Sequence, residues 1–410
     1  MEEIKFALDT FYAVMAGALV MWMAAGFTML EAGMVQKKDV SEIVTKNIGL
    51  YSIACIMYLL CGFSAMYPSD SFANFLPVFG SSVGLSTGVD NVDIGIPYSM
   101  SYSQQADFFF QVVFVATAMS IVSGAVAGRM KLLPFFLFAI VLTGFIYPIQ
   151  GYWNWGEGFL KSGGYYDYAG SGTVHLCGAA AALAVVLVLG PRKGKYNKDG
   201  STNPMPGSNI PMAALGVWIL WLGWFGFNGG SELMISNENA AIAVSQVFLN
   251  TNMAAAGGVV TAILSSLLLT GKMDVTMAMN GAIAGLVAIT AGPSTPSAGI
   301  ALLIGSGGGI IVYFSILYLD RRLKLDDPVG ALSAHGMVGI FGLLTVPFTS
   351  DASFLWQIIG IICISGFSFL SSLGTILVIN KFMPIRASDE EQDLGLDITE
   401  IGVEAYPDFR

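Results

Sequence analysis

Charge is scarce in this sequence. Lys, Arg, Asp and Glu make up 11% of its 410 residues, against about 25% in a soluble domain. Hydrophobic residues make up 55%, and the mean hydropathy is +0.69. A chain so poor in charge cannot cover a water-soluble surface, which excludes an ordinary soluble domain. Cysteine is sparse too. Cys55, Cys61, Cys177 and Cys363 all fall in apolar runs without CxxC or Cys/His spacing. Buried free thiols are expected, not a disulfide framework or a zinc site. Basic clusters are confined to short loops and the net charge is -10, so no nucleic-acid partner is expected. Met1 is followed by Glu2 and Glu3 instead of a basic segment, so no cleavable signal peptide is expected. Histidine is rarest of all, at two residues, His175 and His335.

What the chain has instead is apolar runs of membrane-spanning length, from one end to the other. Eleven segments are predicted, at about 9–34, 45–67, 106–127, 133–155, 170–190, 210–229, 240–270, 275–292, 297–319, 332–349 and 353–380. The class is an all-α polytopic membrane protein. The segment 240–270 is long enough to tilt or to carry a turn. The 49 glycines suit close helix approach in a tight bundle.

Lys and Arg alternate between loops. Lys37, Lys38 and Lys46 follow the first span, Arg129 and Lys131 the third, and Arg192, Lys193, Lys195 and Lys198 the fifth. Lys272 follows the seventh, Arg321, Arg322 and Lys324 the ninth, and Lys381 and Arg386 the eleventh. The loop 68–105 has no Lys or Arg, and only Lys5 and Lys161 fall on the sparse side. The positive-inside rule then places the N-terminus outside and the C-terminus inside.

Eleven spans permit an inverted repeat of five plus five, with one helix left over. Repeat one would cover about 9–190, repeat two about 210–349, and the last helix about 353–380. The membrane domain is 1–384, and an acidic cytosolic tail occupies 385–410. His175 and His335 fall in corresponding spans, five and ten. Inverted-repeat transporters place their sites near the midplane, at the repeat interface, so the two histidines are expected to meet there. A lone intramembrane histidine can merely glue helices. The chain's only two, in matching places, point to a site.

The flanking residues carry a resemblance. Asp167-Tyr168-Ala169-Gly170-Ser171-Gly172-Thr173-Val174-His175-Leu176 resembles the signature of the Amt/Mep/Rh ammonium transporters, nearer the Amt branch. Phe27-Thr28-Met29-Leu30-Glu31-Ala32-Gly33-Met34, Gly223 through Ser231, Asn280 through Val287, Asp326-Asp327-Pro328 through His335, and Gly395 through Glu400 are similar to further family stretches. The similarity covers essentially the whole chain.

The resemblance implies a homotrimer with one pore per subunit, lined by His175 and His335 sharing an N–H. An imidazole carries one donor and one acceptor nitrogen, and its charged form is disfavoured in an apolar pore. It also implies an outer vestibule where Phe110, Gln111, Phe114, Trp155 and Ser231 meet ammonium, with Phe114 and Phe227 as a gate. Aromatic faces attract a cation by about 0.5–2 kcal/mol each. Asp167 is implied as a structural residue near the site, accepting backbone N–H bonds. The family place five residues before the second histidine, taken as an inner-mouth Asp, is Gly330 here. That puts the role of such a carboxylate in doubt. The tail is implied to regulate and to meet a PII-type signalling protein.

The function expected is ammonium transport across the cell (inner) membrane. NH4+ would be recruited and deprotonated, and NH3 passed between the histidines, with the proton free to follow by a separate route. The alternative is an ammonium sensor of the same fold with little or no flux. An intramembrane metal hydrolase is disfavoured, because no acid or cysteine of ligand spacing accompanies the histidines. No enzyme activity, cofactor or metal is expected, and the partners are ammonium or ammonia and the lipid bilayer.

Overall fold

The computed structural model describes residues 1–85 and 101–408. The stretch 86–100 of the Lys- and Arg-free loop and the last two residues of the tail lie outside the described residues. Among the described residues, nine helices are long and apolar enough to cross a membrane. They are α1 (Glu2–Met34), α2 (Lys37–Met66), α3 (Gln104–Val126), α4 (Leu132–Gly163), α5 (Ser171–Leu189), α6 (Ile210–Gly229), α7 (Glu238–Thr270), α9 (Ala298–Arg321) and α11 (Phe354–Phe382). Two shorter apolar helices complete the bundle, α8 (Val275–Thr290) and α10 (Leu332–Phe348). The main departures from the sequence reading are the early starts of α1 and α2, where polar residues continue the helix beyond the apolar run, and the late end of α4, at Gly163 instead of about 155. The segment 240–270 holds no turn. α7 is one helix of 33 residues, about 50 Å long, more than an average hydrocarbon core of about 30 Å needs.

Helix starts carry their own caps. The side chains of Ser103, Asn209, Asn237, Asp274, Ser297 and Ser353 accept hydrogen bonds from first-turn N–H groups of α3, α6, α7, α8, α9 and α11. This satisfies donors that a helix end leaves orphaned. α3 is buried almost along its whole length, on all its faces, so it runs through the centre of the bundle. The outer helices expose large apolar side chains such as Trp22, Trp218, Leu268, Leu303 and Leu370, as a lipid-facing surface does. α7, α8 and α9 cross at glycines. A Cβ on Gly305 would run into the Ala254 backbone, and one on Gly258 into the Gly281 carbonyl.

The tail folds back onto the loops that carry Lys and Arg. A short helix α12 (Asp389–Leu394) opens with a capping box of Ser388 and Glu391. Lys131 pairs with Glu391 at 2.6 Å and Lys193 with Asp393 at 2.6 Å. Lys38 donates to the Gln392 carbonyl. Deeper in, Asp39 accepts from the Leu396 N–H at 3.0 Å, and Asp397 accepts from the Glu42 N–H at 2.9 Å. The loops after α1, α3 and α5 therefore lie on one face, called the basic face below.

Candidate functional site

His175 and His335 meet in the middle of the bundle. Each lies on a π-helical turn, Ser171–Leu176 in α5 and Leu332–Met337 in α10. Such turns re-aim side chains inside a helix and recur at functional sites. Their Nδ1 atoms are 3.2 Å apart. One proton must lie between them, donated by one ring and accepted by the other, so the two neutral rings hold opposite tautomers. His175 Nε2 is buried with no hydrogen-bond partner among the described residues.

The two turns are built alike. Asp167 accepts from the N–H groups of Gly170 at 3.1 Å, Gly172 at 3.0 Å and Thr173 at 2.8 Å. Asp327 accepts from Gly330 at 3.1 Å, Ala331 at 3.0 Å and Leu332 at 2.7 Å. Gly170 and Gly330 hold φ of 109° and 80°, a left-handed backbone that glycine adopts without penalty. The carboxylate serving the second histidine turn is Asp327, eight residues before His335 as Asp167 is eight before His175. A side chain at Gly330 would be strained and would crowd Asn280 Oδ1. Burial raises both Asp carboxyls above the ordinary carboxylate value, and the N–H donors partly offset it.

Aromatic rings continue outward from His175 in a file. The His175 ring stacks on Trp224 at 5.1 Å and on Phe227 at 5.3 Å. Phe227 lies 4.1 Å from Phe114, centroid to centroid. Phe114 in turn meets Phe110 at 4.8 Å and Trp155 edge-on at 5.8 Å. Trp224 is locked by its N–H bond to Thr290 at 2.8 Å. Beyond Phe114 lies a cavity of about 180 Å³ whose walls include Asp107, Phe110, Gln111, Phe114, Trp155 and Ser231. Every vestibule residue expected from sequence lines it. Phe227, expected as the other gate residue, lies beneath, against Phe114. Ser231 Oγ donates to the Phe227 carbonyl at 2.8 Å, which leaves its lone pairs to accept. Trp155 Nε1 donates to the Asp167 carbonyl at 3.1 Å, so the indole offers the cavity its ring. Trp153 packs against Phe75 and donates to its carbonyl at 2.7 Å.

Besides the part played by Asp327, sequence reasoning missed three polar groups around the histidines. Asp107 lines the outer cavity fully buried, held by the Tyr102 hydroxyl at 3.1 Å, with its other oxygen unpartnered among the described residues. Its signal was an acid heading the apolar run Phe108-Phe109-Phe110. Glu31 and Asn280 lie on the other side of His335, and both stood in quoted motifs without a role. Among the described residues no group of three or more His, Cys, Asp or Glu is placed to hold a metal ion.

The profile of the Ammonium Transporter Family matches residues 11–406. Ammonium transporter Amt2 of Archaeoglobus fulgidus is 37% identical, the match spanning 100% of this chain and 90% of that protein. Ammonium transporter Amt1 of Methanocaldococcus jannaschii is 35% identical, covering 99% of each. Among solved structures, one titled Sensor Amt Protein superposes with a TM-score of 0.91 at 32% identity, over 98% of this chain and 100% of that one. Candida albicans Mep2 superposes at 0.82 with 26% identity, over 99% and 92%. The curated relatives are named as transporters, a class without enzymatic turnover.

Proposed function

The chain belongs to the Ammonium Transporter Family, and on that footing we propose that it carries ammonium across the cytoplasmic membrane through the file of rings ending at His175 and His335. The observation that carries this reading is the continuity of that file. Trp155, Phe114, Phe227, His175 and His335 follow one another at centroid spacings of 4.1 to 5.8 Å. NH4+ enters the outer cavity, where the ring faces of Phe110, Phe114 and Trp155 attract it and the oxygens of Ser231 and Gln111 accept its N–H bonds. The buried Asp107 adds an unpartnered acceptor oxygen. Bare NH4+ in an apolar passage faces a large desolvation cost, so near Phe114 and Phe227 the ion passes a proton to water in the outer cavity. NH3 then passes the histidines, whose shared Nδ1–H fixes opposite tautomers and so leaves one Nε2 as a donor and the other as an acceptor for the next molecule, and the proton follows by a separate route.

The surrounding architecture belongs to the same proposal. Eleven spans run with the N-terminus outside and the basic face inside, as an inverted five-plus-five repeat and a final helix. The matching Asp, Gly and His positions of α5 and α10 support the repeat. Three copies form a homotrimer in the cell (inner) membrane, and the docked tail serves as a regulatory segment for a PII-type protein. The sensor reading is not favoured, since the curated relatives are named transporters. The deciding experiment measures ammonium-dependent current and uptake in proteoliposomes for the wild type and for apolar replacements of both histidines. Ammonium-dependent flux in the wild type and its loss in the double variant are expected. No flux, or full flux without the histidines, overturns the proposal.

A further inference from the structure

A smaller cavity lies on the other side of His335, walled by Phe27, Glu31, Ser120, Asn280, Gly330 and His335 among others. These walls come from the ends of α1 and α3, the start of α8, and α10 with the stretch before it, and the chain beyond those helix ends leads to the basic face. The free volume is about 10 Å³, room for the centre of one water-sized particle.

The polar groups around it are acceptors. Glu31 is 1% exposed and Asn280 7%, and Glu31 Oε1 and Asn280 Oδ1 have no hydrogen-bond partner among the described residues. The other Glu31 oxygen is held by the Ser123 hydroxyl at 2.6 Å and Asn47 Nδ2 at 3.2 Å, which fixes the carboxylate. Asn280 Nδ2 donates to the Thr276 carbonyl at 3.1 Å, so its oxygen is the free end, directed at Gly330. Ser120 Oγ donates to the Ala116 carbonyl at 3.1 Å and has only lone pairs left. The Phe27 ring, 6.4 Å from that of His335, supplies an aromatic wall. Next to Asn47, Lys46 pairs with Glu42 at 3.6 Å, both fully buried. With Glu31, two acids then face one base.

Unpartnered buried acceptors are costly, and a cavity of one-particle size selects a small ligand. Water and ammonia each bring a lone pair that seeks a donor, whereas ammonium brings four N–H donors and no acceptor. We propose that Glu31 Oε1 and Asn280 Oδ1, with the Phe27 ring, form a second ammonium-binding site on the basic side of the histidine pair. The inference rests on the reading that the chain carries ammonium. The site holds the ion after NH3 has passed the histidines and regained a proton from water on the basic face, or before the reverse passage begins.

Two measurements on the full chain test it separately from transport. Crystals soaked in rubidium chloride, a cation close to ammonium in size, are expected to show an anomalous peak between Glu31 and Asn280, lost in Glu31→Gln and in Asn280→Leu. In proteoliposomes, the half-saturating ammonium concentration on the basic face, relative to the outer face, is expected to rise about tenfold in each variant, as for loss of a charge-assisted bond. A wild-type peak without flux keeps the site and overturns transport. Wild-type flux without a peak, or an unchanged ratio in both variants, overturns the site.

Discussion

Asp167 and Asp327 hold equivalent places, each eight residues before a histidine and each spending both carboxylate oxygens on backbone N–H groups of the turn that carries it. An amide has one acceptor oxygen in place of two. Asp167→Asn and Asp327→Asn should each lose about 1–3 kcal/mol of stability and lower ammonium flux by disordering the histidine pair. Thermal unfolding in detergent beside flux checks this. An effect no larger than that of the exposed Asp199→Asn would count against the caps.

Phe114 and Phe227 lie 4.1 Å apart, centroid to centroid, with their rings tilted by 34°, between the outer cavity and the histidines. Phe114→Leu keeps the apolar bulk and removes the ring face. Its half-saturating ammonium concentration should rise by roughly 2- to 30-fold, the equivalent of about 0.5–2 kcal/mol, and solid-supported-membrane currents would read it. The wild-type value in Phe114→Leu would exclude a ring–cation contact there.

Arg192 grips Asp326 with Nε at 2.9 Å and an Nη atom at 2.7 Å, and its backbone N–H adds a third bond at 2.8 Å. Burial alone would raise the Asp326 carboxyl, but the Arg192 hydrogen bonds and the charges of Arg129 and Arg192 outweigh it and hold the carboxyl below its ordinary value. A depressed folded-state pKa means stability present above the unfolded value of about 3.9 and lost as pH falls towards the folded one. Asp326→Asn should cost about 3–5 kcal/mol at neutral pH, and the gap to wild type should narrow below about pH 4. Melting curves of both proteins across that range would show it, and a gap independent of pH would contradict it.

The tail is held by contacts of unequal weight. Lys131–Glu391 and Lys193–Asp393 are partly or largely exposed and should contribute at most about 1 kcal/mol each, less in salt. Asp397 is buried and accepts from the N–H groups of Glu42 and Ala405. Asp397→Ala should therefore speed limited proteolysis of the tail several-fold more than Glu391→Ala, since it leaves buried donors unmet. Equal rates would show that the surface pairs hold the tail.

Much of the site was legible before any coordinates. A histidine inside an apolar run stands out because every neighbour is silent, and Phe110, Phe114, Trp155, Phe227 and Ser231 stood in long motifs. Asp327 was overlooked because a cap is defined by the backbone conformation of the turn it serves, and the left-handed glycine that reveals it is a torsion angle. Glu31, Asn280 and Asp107 come from three different helices. Whether such a group is satisfied or left unpartnered depends on neighbours far away in sequence.

The sequence by itself determined that this chain is a helical membrane protein of the ammonium transporter family, because hydropathy and contiguous motifs are local properties of the chain. Only the tertiary structure decided which atoms face one another: the Nδ1 pair of His175 and His335, the Phe114–Phe227 stack, and the acceptors of Glu31 and Asn280 around one small cavity. These relations depend on helix rotation and crossing, and on π-turns that re-aim single side chains. Such geometry follows from packing the whole bundle at once and has no counterpart in any one segment.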